Sequence, residues 1–97
     1  MSSFKELVNG DVPVLIDFYA TWCGPCQTML PVLDQLKQDL GNAVRILKID
    51  VDKNQALATK FNVRGVPAFM IYKNGEQIWR GGGVQPLHEL KSKLASA

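Results

Sequence analysis

The chain has 97 residues, 46% of them hydrophobic, enough for one compact domain (1–97) with a buried core and too few for two. Its 11 basic and 9 acidic residues are spread along the sequence and leave a net charge of +2, so no basic patch points to nucleic acid or an anionic membrane. Met1 to Leu7 has no apolar core or small-residue cleavage site, and Asp17 interrupts the longest apolar run, so the expectation is no secretory signal, no membrane span and a cytoplasmic location.

Ser3-Phe4-Lys5-Glu6 has the form of a capping box and opens a short amphipathic helix ending near Asn9-Gly10, with Phe4, Leu7 and Val8 toward the core. Val14 to Tyr19 is apolar on both alternating faces except at Asp17, the pattern of a central strand covered on two sides. From Cys23 to about Leu40 the apolar residues Met29, Leu30, Leu33, Leu36 and Leu40 follow a helical period, stopped by Gly41 and bent at Pro31. A β-branched strand over Val44 to Val51 and a helix around Gln55 to Phe61 complete a β-α-β-α run with parallel strands. After Val66-Pro67, Ala68 to Tyr72 and Gln77 to Arg80 form a hairpin around Lys73-Asn74-Gly75, which Gly81-Gly82-Gly83 breaks. Leu87 to Leu94 closes the chain as an amphipathic helix with Pro86 near its start. The order α-β-α-β-α-β-β-α predicts an α/β fold, a mixed sheet of about four strands between helices.

Both cysteines lie in Trp22-Cys23-Gly24-Pro25-Cys26, directly after the first strand and at the start of a helix. At this spacing two thiols can close a small disulfide ring and carry two electrons as a pair. Only a thiolate attacks a disulfide sulfur, and the unpaired N–H groups of a helix N-terminus stabilise negative charge there. Cys23, at or just before the first turn, is therefore the nucleophile; Cys26, one turn inside, is the resolving thiol. Gly24 permits close backbone approach, and Pro25 is tolerated because first-turn N–H groups have no helical partner. The competing reading is an inert structural pair. Zinc needs four ligands, and the lone histidine, His88, stands far from either cysteine as a surface residue, so no metal is expected.

Asp17 stands where ionisation is costly, so burial should raise its pKa and suit it to accept a proton from Cys26; otherwise it reaches solvent at the strand end. Lys48, the charge in Ile46-Leu47-Lys48-Ile49, either moderates Asp17 from an adjacent strand or snorkels to the surface. Trp22 either shields the sulfurs and meets partners or packs beside the strand. Trp79 and Met29 read as packing residues.

Asp17 to Cys26, then Gly65-Val66-Pro67 and Lys73-Asn74-Gly75, occur together in an order that resembles the thioredoxin family from about Pro13 onward. The resemblance implies a three-layer α/β/α sandwich whose members reduce disulfides in other proteins. It implies that Cys23 attacks, Cys26 resolves, Asp17 handles the proton and Lys48 tunes Asp17. It also implies a cis Val66-Pro67 bond, with the Val66 backbone free to pair with an extended substrate segment and Gly83 on the same surface. Trp22, Gly24, Pro25, Val66, Pro67 and Gly83 are thus the expected substrate-binding residues. The family usually has a strand ahead of its first helix, which this chain is too short to hold, so the resemblance implies a truncated sheet edge. Gln27, Tyr19, Ala68 and the glycine triplet depart from the family pattern without removing a required chemical group.

The expected activity is protein-disulfide reduction, with no bound cofactor beyond the Cys23-Cys26 disulfide. Electrons are expected from a separate thioredoxin reductase, an NADPH-dependent flavoprotein, and the partners are disulfide-containing client proteins met by a monomer. An oxidase or isomerase of the same fold is the alternative, disfavoured because Pro25 stands where a histidine would stabilise the thiolate. A redox-inert binding module is the alternative from another class.

Overall fold

The structure is a computed structural model and describes residues 3–97; Met1 and Ser2, which open the stretch read for a signal, lie outside the described residues. Helix α1 covers Phe4–Leu7, and the Ser3 hydroxyl oxygen caps it by accepting the Glu6 amide at 3.2 Å. Strand β1 covers Val14–Tyr19, and helix α2 covers Gly24–Leu40 with Gly41 as its C-cap in positive φ. A single 3₁₀ turn, Gly41–Ala43, leads into β2, Arg45–Asp50, and then α3, Gln55–Lys60. Strands β3, Ala68–Lys73, and β4, Glu76–Gly82, precede α4, Leu87–Ala95.

The four strands lie in the order β2-β1-β3-β4. Strand β1 runs parallel to β2, with Asp17 opposite Lys48, and antiparallel to β3. Strands β3 and β4 meet through Asn74 and Gly75, at φ 54° and 80°, the left-handed pair that a two-residue hairpin turn demands. Along β4 the pairing passes from Trp79 opposite Ile71 to Gln77 opposite Tyr72, so Ile78 is the extra residue of a bulge.

Because β1 is apolar on both faces, each face needs its own cover. On one face Leu15, Phe69 and Ile71 pack with Met29, Leu33 and Leu36 of α2 and Leu90 and Leu94 of α4. On the other, Val14, Ile16, Phe18, Met70 and Tyr72 pack with Val8, Phe4, Leu57 and Phe61. The result is the expected three-layer α/β/α sandwich with a mixed sheet of four strands.

The element limits shift by a residue or so, and Cys23 is the N-cap of α2, just before its first turn. The glycine triplet does not break the hairpin: Gly81 and Gly82 remain in β4, opposite Phe69 and Ala68, and only Gly83 leaves it, at φ 76°. Pairing with β3 outweighs the weak strand preference of glycine there. Leu30 is 39% exposed and faces away from the core, because it follows Met29 by about 100° around the helix. Pro31 sits inside α2 without ending it; the packing of Met29, Leu33 and Leu36 outweighs the lost backbone bond.

Candidate active site

The disulfide sits where β1 hands over to α2. The Cys23 backbone is extended, at φ −89° and ψ 114°, so its side chain turns back over the helix end and its sulfur accepts the Cys26 amide at 3.1 Å. An N-cap of this kind is usually an oxygen; here sulfur takes the orphan donor, and the interaction strengthens when the sulfur is an anion. Pro25 in the first turn gives up no helical bond. Cys23 and Cys26 form a disulfide with Cα atoms 5.3 Å apart.

Both cysteines are buried, at 4% and 3% exposure, so accessible area does not tell them apart. What separates them is position. The Cys23 sulfur caps the helix and lies 3.6 Å from the carbonyl oxygen of Val66, whereas Cys26 is inside the first turn. Ala20 and both cysteines form a small apolar cluster against Tyr19, Val51 and Val66, which keeps water from the sulfurs.

Val66 and the buried Pro67 are joined by a cis peptide bond, as the resemblance implied. The Pro67 carbonyl accepts the Gly83 amide at 2.9 Å, bringing Gly83 beside the Val66-Pro67 segment. Between them runs an open groove of about 420 Å³, also lined by Arg64 and Arg80. Gly24 and Pro25 are exposed on the sulfur side.

Trp22 is 71% exposed, which removes the reading that it packs into the core. Its indole N–H donates to the carboxylate of Asp52 at 2.9 Å, and its ring covers a cleft of about 150 Å³ with Val51, Val63 and Val66. Asp52 was not singled out in the sequence. It follows β2 in a turn where Asp50 accepts the amides of Asp52 and Lys53, and an aspartate in such a turn carries no sign of a tryptophan 30 residues earlier. His88 is 83% exposed on α4, the surface position expected of it.

Asp17 is 1% exposed, so the strand-end reading is replaced by burial. Leu15 packs under α2 and Tyr19 packs against the cysteine cluster; strand alternation therefore aims Asp17, between them, at the same α2 face. Its Oδ1 has no hydrogen-bond partner among the described residues. Loss of solvent raises its pKa from 3.8 to about 6, against the opposing pull of the Lys48 charge on the paired strand. Lys48 itself is exposed.

The protein-family model for Thioredoxin matches residues 1–96. Rice (Oryza sativa subsp. japonica) chloroplastic thioredoxin Y is 42% identical over 97 residues, covering 99% of this chain; the chain spans 58% of that relative's length. A thioredoxin-like protein of Synechocystis is 42% identical over 94 residues, covering 96% of this chain and 90% of its own. Among solved structures, a mutant thioredoxin from Halobacterium salinarum superposes with a TM-score of 0.85 at 40% identity, covering 99% of this chain and 86% of that one. Oxidised mitochondrial thioredoxin 3 of Saccharomyces cerevisiae does so with a TM-score of 0.86 at 35% identity, covering 97% and 87%.

Proposed function

The chain belongs to the thioredoxin family, and from that premise we propose that it is a protein-disulfide reductase working by dithiol-disulfide exchange through Cys23 and Cys26. The observation that carries the reading is the Cys23 sulfur, which accepts a helix-end amide beside the Val66 carbonyl. In the reduced protein that amide favours the thiolate over the thiol. The Cys23 thiolate attacks one sulfur of a client disulfide; a Cys23-client bond forms and the other client sulfur leaves as a thiolate. Cys26 gives its proton to the Asp17 carboxylate, directly or through one water, and its thiolate displaces the client from Cys23. Two electrons have passed to the client, and the Cys23-Cys26 disulfide of the structure is the product.

Asp17 suits the proton step because burial holds its pKa near 6, close to working pH, and Lys48 keeps it from rising further. An extended client segment pairs with the Val66 backbone, between Gly83 and Pro67 on one side and Trp22, Gly24 and Pro25 on the other. A separate reductase, by this reading an NADPH-dependent flavoprotein, returns the electrons. The protein acts as a cytoplasmic monomer of one domain over residues 1–97, although the rice relative carries a chloroplastic name.

Trapping tests the roles. Cys26→Ser is expected to accumulate a mixed disulfide with a client, because the first bond forms and cannot be displaced, and Cys23→Ser to accumulate none; equal trapping by both variants overturns the assignment. The unmutated protein is expected to accelerate dithiothreitol reduction of insulin. An equilibrium potential more reducing than about −200 mV marks a reductant, and a far more oxidising couple returns the oxidase reading.

A further inference from the structure

Arg64 stands where the two clefts that flank Val66 meet. It lines the groove of about 420 Å³ between Pro67 and Gly83, and also the cleft of about 150 Å³ beside Trp22. The Cys23 sulfur lies 3.6 Å from the Val66 carbonyl oxygen, and Arg64 is two residues, at most about 7 Å of chain, from Val66. In an extended client segment the side chains two positions from a cysteine lie on its own side of the strand. A client cysteine reached by Cys23 therefore brings one of those side chains within range of Arg64.

The local backbone holds Arg64 at this place. Asn62 follows α3 in the left-handed region, at φ 56°, which asparagine tolerates better than most residues. Its side-chain oxygen accepts the Arg64 Nε–H at 3.1 Å. Its carbonyl and that of Phe61 accept the Arg80 guanidinium at 2.9 and 2.6 Å, so Arg80 is occupied in tying β4 to the end of α3. Arg64 is exposed, and its two terminal nitrogens have no hydrogen-bond partner among the described residues. No acidic residue lines either cleft, and neither arginine forms an ion pair among the described residues. The Asp52 carboxylate accepts the Trp22 indole N–H instead.

We propose that Arg64 is a specificity-determining residue of the exchange site: the free end of its guanidinium pairs with a carboxylate two residues from the client cysteine, so the protein favours disulfides flanked by aspartate or glutamate. The proposal rests on the disulfide-exchange reading above and adds to it the class of client. Arginine suits the task, because a planar fork held at Nε still presents two parallel N–H donors to a carboxylate.

The test follows single-turnover reduction, by the reduced protein, of symmetrical disulfide dimers of a blocked peptide. Its central cysteine carries glutamate, glutamine or lysine two positions to each side. Each rate is divided by the rate with which dithiothreitol, an uncharged dithiol, reduces the same peptide, which removes the effect of the flanking charges on the disulfide itself. At low salt the normalised rate is expected to be at least about fivefold higher for the glutamate peptide than for the lysine peptide, with glutamine between them, and the ratio to approach parity in about 1 M salt. Arg64→Glu is expected to invert the order and Arg64→Lys to keep it with a smaller ratio. Lys93→Glu, the same change of net charge in the last turn of α4, at the end away from Gly83, is expected to keep the parent ratio. A parent ratio near one, a ratio unmoved by Arg64→Glu, or a ratio lowered as far by Lys93→Glu would each overturn the proposal. Failure of the parent to reduce even the glutamine peptide would overturn the exchange reading itself, and the proposal with it.

Discussion

Asp17 is a carboxyl group enclosed beneath α2 with one oxygen unpartnered, and its cost and its use come from the same burial. Its folded pKa of about 6 lies above the ordinary 3.8, so the native state binds the proton more tightly than the unfolded chain does. The stability it contributes is full below about pH 4 and is lost as pH rises through 6, by roughly 3 kcal/mol for a shift of this size. Asp17→Asn is expected to remove that slope: urea unfolding from pH 4 to 7 should show the variant gaining roughly 3 kcal/mol on the parent across the interval. The same variant is expected to slow turnover more than substrate binding and to flatten the fall in rate that the parent shows as pH drops through 6. An unchanged rate profile would take the proton role away from Asp17.

At the scale of elements, strand β4 shows how neighbours make room for one another. A methyl group on Gly81 would stand 2.6 Å and 2.8 Å from two ring carbons of Trp79, two residues back on the same face. That ring packs against the cluster beneath α2 and α4, so it has little space to retreat. Gly81→Ala is expected to cost on the order of 1–2 kcal/mol in chemical unfolding, and less than half of that in a Trp79→Leu background, where the ring is gone. Additive costs in the double-mutant cycle would mean that the ring does not restrict this site. Helix α2 shows the converse arrangement: its N-cap is the Cys23 sulfur, so one side chain ends the strand-to-helix turn and, in the proposed mechanism, also makes the first attack.

For the whole molecule, the sheet separates two apolar clusters that share β1 and β3. Ile16 belongs to one and Leu90 to the other. Ile16→Val is expected to cost about 1 kcal/mol and Leu90→Ala about 2–5 kcal/mol. Since the two side chains touch different layers, their costs should add to within about 0.5 kcal/mol in a single unfolding transition. Two separate transitions would show that the layers melt independently.

The β1 strand, the helix that follows it, the hairpin turn and the cysteine pair were all legible in the residues, because each is written in local spacing: period two, period 3.6, a left-handed turn pair and two thiols three positions apart. Asp17 was legible for the same reason, as a charge inside an apolar strand. Leu30, Gly81, Gly82 and the Trp22-Asp52 hydrogen bond were not. Periodicity locates an apolar stripe but not its width, so only the packing of α2 on the sheet put Leu30 outside; glycine reads as a break until a paired strand holds it; and Trp22 meets Asp52 only after β2 has been laid beside β1. Local sequence thus determined which elements form and where the cysteine pair and the carboxylate within β1 stand along them, while the tertiary structure decided which of their surfaces are covered, because burial and long-range pairing depend on residues far apart in the chain.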